Sequence, residues 1–161
     1  IILNLGSPTK MIIYIDGANL NQAQGRYQHS YRVDLVRLIE FLTRDRSVVA
    51  VYYYGSERGS RQTRFHKVRK AYSFHVHQCR SDKEVDVSLA VDMLDAAWRN
   101  DYDIAVLVSG DRDFVPVVNK VKALTKKVEV AMFENSLASL LRREVSDIVL
   151  LDTLPSYVRM G

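Results

Sequence analysis

Two uninterrupted runs of five apolar residues, Met11–Ile15 and Ile104–Val108, constrain this chain most. Runs this short and this apolar suit strands buried on both faces, and such strands belong to parallel sheets covered by helices. Each run empties into an acidic motif. Asp16-Gly17-Ala18-Asn19 follows the first, and Ser109-Gly110-Asp111-Arg112-Asp113-Phe114 follows the second. Carboxylates at the ends of two buried strands can meet at one point, where they repel one another unless a cation joins them.

The elements between these runs alternate. Helical spacing is expected over 32–46, with Asp34 in a first turn, and more weakly over 61–72. Helices are also expected over 84–99, over 113–125 with Pro116 in its first turn, and over 136–143 capped by Ser136. Strands are expected over 48–54, 73–78, 128–133 and 147–151. The segment after Asp16 reads as a turn, because Gly17 and Asn19 follow the strand directly. The alternation predicts an α/β fold, a three-layer α/β/α sandwich around a mainly parallel sheet. In such sheets ligands bind beyond the carboxyl ends of the strands, where the strand order reverses.

The length of 161 residues suits one domain. The net charge of +4 permits nucleic-acid binding without establishing it. The single cysteine, Cys79, excludes an internal disulfide, argues against a cysteine-based zinc site and fits a reducing cytoplasm. No apolar run approaches the roughly 20 residues that span a bilayer. Residues 1–10 read as a leader, vector-derived or upstream, ahead of a plausible initiator at Met11; residues 153–161 read as a tail.

The 84–99 helix discriminates among its acids. At about 100° per residue, Ser88, Asp92, Asp95 and Arg99 share an arc roughly 60° wide, read as the solvated face. Leu89, Ala90, Met93 and Ala97 lie within about 60° of Asp86 on the other side. Asp86 therefore points toward the core, where a carboxylate must be paired, neutralised or bound to metal. Each acid alone has an ordinary reading. Asp16 can serve a turn, Asn19 a turn or cap, and Asp111 or Asp113 a helix start. Together they point to a hard cation, Mg²⁺ or Mn²⁺, and to phosphodiester chemistry. Asp16, Asp86 and Asp111 are the expected direct ligands, with Asp113 a further or water-mediated one. Asn19 and Ser109 are expected to orient acids, water or phosphate.

A basic segment holds Arg58, Arg61, Arg64, Lys67, Arg69 and Lys70 with Phe65, His66 and Tyr72 interleaved. It is a candidate RNA-binding surface, with a solvated helix face as the plain alternative. Arg142 and Arg143 form a weaker pair.

Asp-Gly-Ala-Asn, the Lys83-Glu84-Val85-Asp86-Val87 segment with Leu89 to Leu94, and Ser-Gly-Asp-Arg-Asp-Phe together resemble the NYN domain of the PIN-like nuclease group, closest to its LabA-like bacterial branch. The resemblance spans residues 11–152. It implies a PIN-like sandwich and metal-dependent cleavage of RNA, expected to be single-stranded, with a site at Asp16, Asp86, Asp111 and Asp113 supported by Asn19 and Ser109. Asp92 also matches a family position and stands as a secondary candidate. Glu84 departs from the small residue common there. Some relatives serve regulatory roles, so a non-catalytic RNA-binding or regulatory module stands as the alternative; the partners expected besides RNA are a protein regulator or a second copy in a homodimer. A haloacid-dehalogenase-type phosphatase is disfavoured, since Ala18 stands where its second acid belongs. A dinucleotide fold is disfavoured because no G-x-G-x-x-G follows the first strand.

Overall fold

A computed structural model describes residues 6–56 and 65–160. Six strands, β1 (Lys10–Asp16), β2 (Ser47–Gly55), β3 (Phe74–Gln78), β4 (Ile104–Val108), β5 (Lys127–Met132) and β6 (Asp147–Leu150), form one sheet. Its order is β3-β2-β1-β4-β5-β6, and every neighbouring pair is parallel. The helices are α1 (Gly17–Tyr27), α2 (Leu35–Thr43), α3 (His66–Ala71), α4 (Asp82–Trp98), α5 (Val115–Ala123) and α6 (Ser139–Glu144). Parallel crossovers are right-handed. Those moving outward from β1 to β3 place α1–α3 on one face, and those moving the other way place α4–α6 on the opposite face. The two apolar runs become β1 and β4, adjacent and central, with Met11 to Ile15 and Ala105 to Val108 almost wholly buried.

Two local expectations are corrected. The stretch after Asp16 is a helix, not a turn. Asp16 caps it by accepting the Asn19 N–H at 3.0 Å, and Leu20, Ala23 and Gln24 bury one side. Ser136 caps nothing. It ends a 3₁₀ turn (Glu134–Ser136), and α6 begins at Ser139. The cause is Gly110, whose carbonyl accepts the Ala138 N–H at 2.9 Å and whose missing Cβ leaves room for the Ser136 carbonyl. Asp34 is the N-cap of α2, bonded to the Arg37 N–H at 3.2 Å, one step before the predicted first turn.

The strand order reverses between β1 and β4. This is the order of the doubly wound dinucleotide folds, yet the first turn lacks their glycine pattern, so the shared property is the location of the crevice.

Candidate metal centre

Both acidic motifs sit at the carboxyl edge of that reversal and are stitched together by hydrogen bonds. Asp16 is 2% exposed. Its Oδ1 accepts the Asn19 N–H, and its Oδ2 accepts the Ser109 hydroxyl at 3.1 Å. Ser109 Oγ in turn accepts the Asp111 N–H at 3.2 Å. Asn19 Oδ1 accepts the Gly110 N–H at 2.9 Å. Asp111 caps the next turn by accepting the Asp113 N–H at 2.9 Å, so its side chain is held by the backbone that it starts.

α4 brings the third strand of the argument. Ser81 caps it through the Glu84 N–H, and its first turns run beside the two strand ends. Asp86 is half-buried there, as its position on the apolar side predicts. Asp86, Asp111 and Asp113 each offer one carboxylate oxygen, and these three atoms lie within 4.8 Å of one another. Among the described residues this is the one His, Cys or acid group with such spacing. Asp16 stands beside it with both oxygens engaged, outside the group of three.

The electrostatics follow from that crowding. Burial, then the charges of Asp16, Asp111, Asp113 and Asp82, push the Asp86 carboxyl up to about 7. Burial pushes Asp16 up to about 6, while its bonds from Asn19 and Ser109 pull the other way and Asp111 and Asp82 add repulsion. All donors are oxygens, which suits a hard divalent cation, and a cation would relieve the repulsion that raises Asp86.

Asp82 went unnoticed in the sequence. Its signal was its place immediately after Ser81, a capping residue, which sets it in the first turn of the helix that carries Asp86. Glu84 is turned back on its own helix start, accepting the Arg80 N–H at 2.5 Å. Asp92 keeps 41% of its side chain exposed, in line with its place at the edge of the polar arc, and lies outside the carboxylate group of three. It accepts the Tyr54 hydroxyl at 2.7 Å and lies 3.8 Å from His77 Nδ1, toward β2 and β3.

Of the basic segment, Arg58, Arg61 and Arg64 lie outside the described residues. Lys67, Arg69 and Lys70 are exposed on α3, which packs against α2 in the layer opposite α4, while Phe65 is buried. Arg142 is engaged with Glu134 at 2.6 Å.

Residues 10–152 match the family model for the NYN domain. The chain is similar to a crystal structure of a protein of unknown function from Vibrio parahaemolyticus RIMD 2210633. The two share 24% identity and a TM-score of 0.77 over 92% of this chain and 98% of that one, a likeness of fold. A pyrazinamidase/nicotinamidase from Streptococcus mutans UA159 aligns at 14% identity over 84% of this chain and 91% of that one, with a TM-score of 0.38, too low to carry an argument. No curated protein matches.

Proposed function

The chain belongs to the NYN domain family, and from that premise we propose that it is a metal-dependent ribonuclease of the LabA-like branch, acting in the cytoplasm on single-stranded RNA. The observation that carries this reading is the convergence of Asp86, Asp111 and Asp113. These three would hold Mg²⁺ or Mn²⁺. When bound, such an ion stabilises charge on a phosphodiester and makes water a nucleophile near neutral pH.

The protein's own part is positioning. Ser109 and the Asn19 N–H hold the Asp16 carboxylate in place beside the other three acids. Asp16 thereby adds negative charge next to the group and remains a candidate ligand in its own right. The Asp113 N–H fixes the Asp111 side chain, so that it does not need to be ordered when a cation arrives. No histidine is required as a base. The exposed cations of α3 and the basic segment before it would neutralise phosphates of the bound strand.

Labelled single-stranded RNA incubated with the protein and Mn²⁺ tests this. Cleavage is expected, with loss on chelation and in Asp111→Asn. RNA bound but left intact, with no change in Asp111→Asn, would favour the non-catalytic RNA-binding module.

A further inference from the structure

α4 presents an apolar stripe to solvent. Val87, Val91 and Trp98 are 56%, 59% and 70% exposed, the highest values among the exposed large apolar side chains of the described residues. With half-buried Leu94 they fall in an arc of roughly 60° at about 100° per residue. That arc is centred roughly 160° from the buried positions Val85, Leu89, Met93, Ala96 and Ala97. The stripe is thus on the outer side of the helix, away from the sheet.

Its spacing says what covers it. The intervals from Val87 to Val91 to Leu94 to Trp98 are four, three and four residues, a coiled-coil seam that reads the same in both directions. A twofold axis between Asp92 and Met93 sets Val87 against Trp98 and Val91 against Leu94 in an antiparallel pair. Small meets large at each end, as a self-complementary interface requires. Charge agrees. Arg99 pairs with Asp95 and Asp101 on its own chain through Nη2 and Nε, and Glu84 accepts the Arg80 N–H through Oε2. The two lie on the same flank of the stripe and nearly at mutually paired levels, so the twofold brings the remaining Glu84 oxygen beside the Arg99 of the other copy. Antiparallel helix dipoles are also favourable. Asp86 is on the other flank and stays open.

We propose that two copies of this chain associate through antiparallel packing of α4. The arrangement sets the two Asp86 residues about 20 Å apart along the helix axis, thirteen residues at about 1.5 Å each. The proposal does not depend on the nuclease reading.

Trp98 is the only tryptophan, so its fluorescence reports the interface directly. Sedimentation of the full chain over a concentration series is expected to show monomer and dimer, with Trp98 emission shifting to the red on dilution. Val91→Glu places a charge in the seam and is expected to weaken association by about a hundredfold or more. Val49→Glu, at an exposed valine on β2, is expected to leave it unchanged. Arg99→Glu is expected to weaken association, and Glu84→Arg added to it to restore it. A chain that stays monomeric throughout overturns the proposal. So does a dimer indifferent to Val91→Glu, or a Trp98 shift produced only by anionic vesicles without a change in mass.

Discussion

The side-chain oxygen of Asn19 accepts the backbone N–H of Gly110 at 2.9 Å, tying the first acidic motif to the second across the seam between β1 and β4. Asn19→Ala removes the acceptor and leaves that N–H without its side-chain partner. A loss of about 1–3 kcal/mol is expected in urea unfolding. An unchanged midpoint would show that the two motifs hold together without this bond.

Mn²⁺ or Mg²⁺ is expected to raise the melting temperature of the wild-type protein. At a concentration a hundredfold above the dissociation constant, the gain is about 2.7 kcal/mol. Asp111→Asn keeps an oxygen for the Asp113 N–H but loses the charge. It is expected to fold and to lose most of the metal-dependent shift. An equal shift in both proteins would place the ion elsewhere.

Burial pushes the Asp16 and Asp86 carboxyls up to about 6 and about 7, both above the ordinary 3.8 of an aspartate. Between about pH 4 and 7 these two carboxyls therefore hold more protons in the folded chain than in the unfolded one. The contribution of these two acids to stability is present at low pH and is lost as the pH rises through that window in metal-free protein. Metal affinity runs the opposite way, because deprotonated carboxylates are the ligands. Urea midpoints at about pH 5 and 7.5, with chelator and with Mn²⁺, check both signs.

Two glycines of α1 should respond oppositely to alanine. A Cβ on Gly17 would overlap the ring of Tyr53, which is fully buried. Gly17→Ala is expected to cost about 1–3 kcal/mol through overpacking. Gly25 has nothing near its missing Cβ and lies inside the helix, so Gly25→Ala is expected to stabilise by about 0.5–1 kcal/mol. Thermal unfolding of the pair decides it.

Arg46 bonds both oxygens of Glu129, at 2.6 and 3.0 Å, with each side chain 9% exposed. Arg46→Ala strands a buried carboxylate on β5 and is expected to cost about 3–5 kcal/mol. A smaller loss for Arg46→Ala with Glu129→Leu than for Arg46→Ala alone would show that the stranded charge dominates.

Much of the architecture was legible because apolar runs and helical spacing are local signals. β1, β4 and the side of α4 that carries Asp86 all read directly from residue order. α1 did not, since Gly17, Asn19 and Asn21 look like loop chemistry. Only the cap at Asp16 and the burial of Leu20 and Ala23 reveal it as a helix. Ser136 misled for a related reason: the start of α6 is set by Gly110, a residue on a different strand end. Of the acids named from the sequence, Asp86, Asp111 and Asp113 come together, a grouping that residue order did not reveal. Asp113 rather than Asp16 joins Asp86 and Asp111, while the Asp16 oxygens accept from Asn19 and Ser109. The outer stripe of α4 was hidden by an assumption that water faces polar residues.

The three converging carboxylates come from a helix and from the far end of a strand that follows it in the chain. During synthesis Asp86 leaves the ribosome well before Asp111 and Asp113. A nascent polypeptide, or a fragment ending ahead of β4, therefore has no complete ion cradle. Any chemistry that needs the cradle waits until the fold closes.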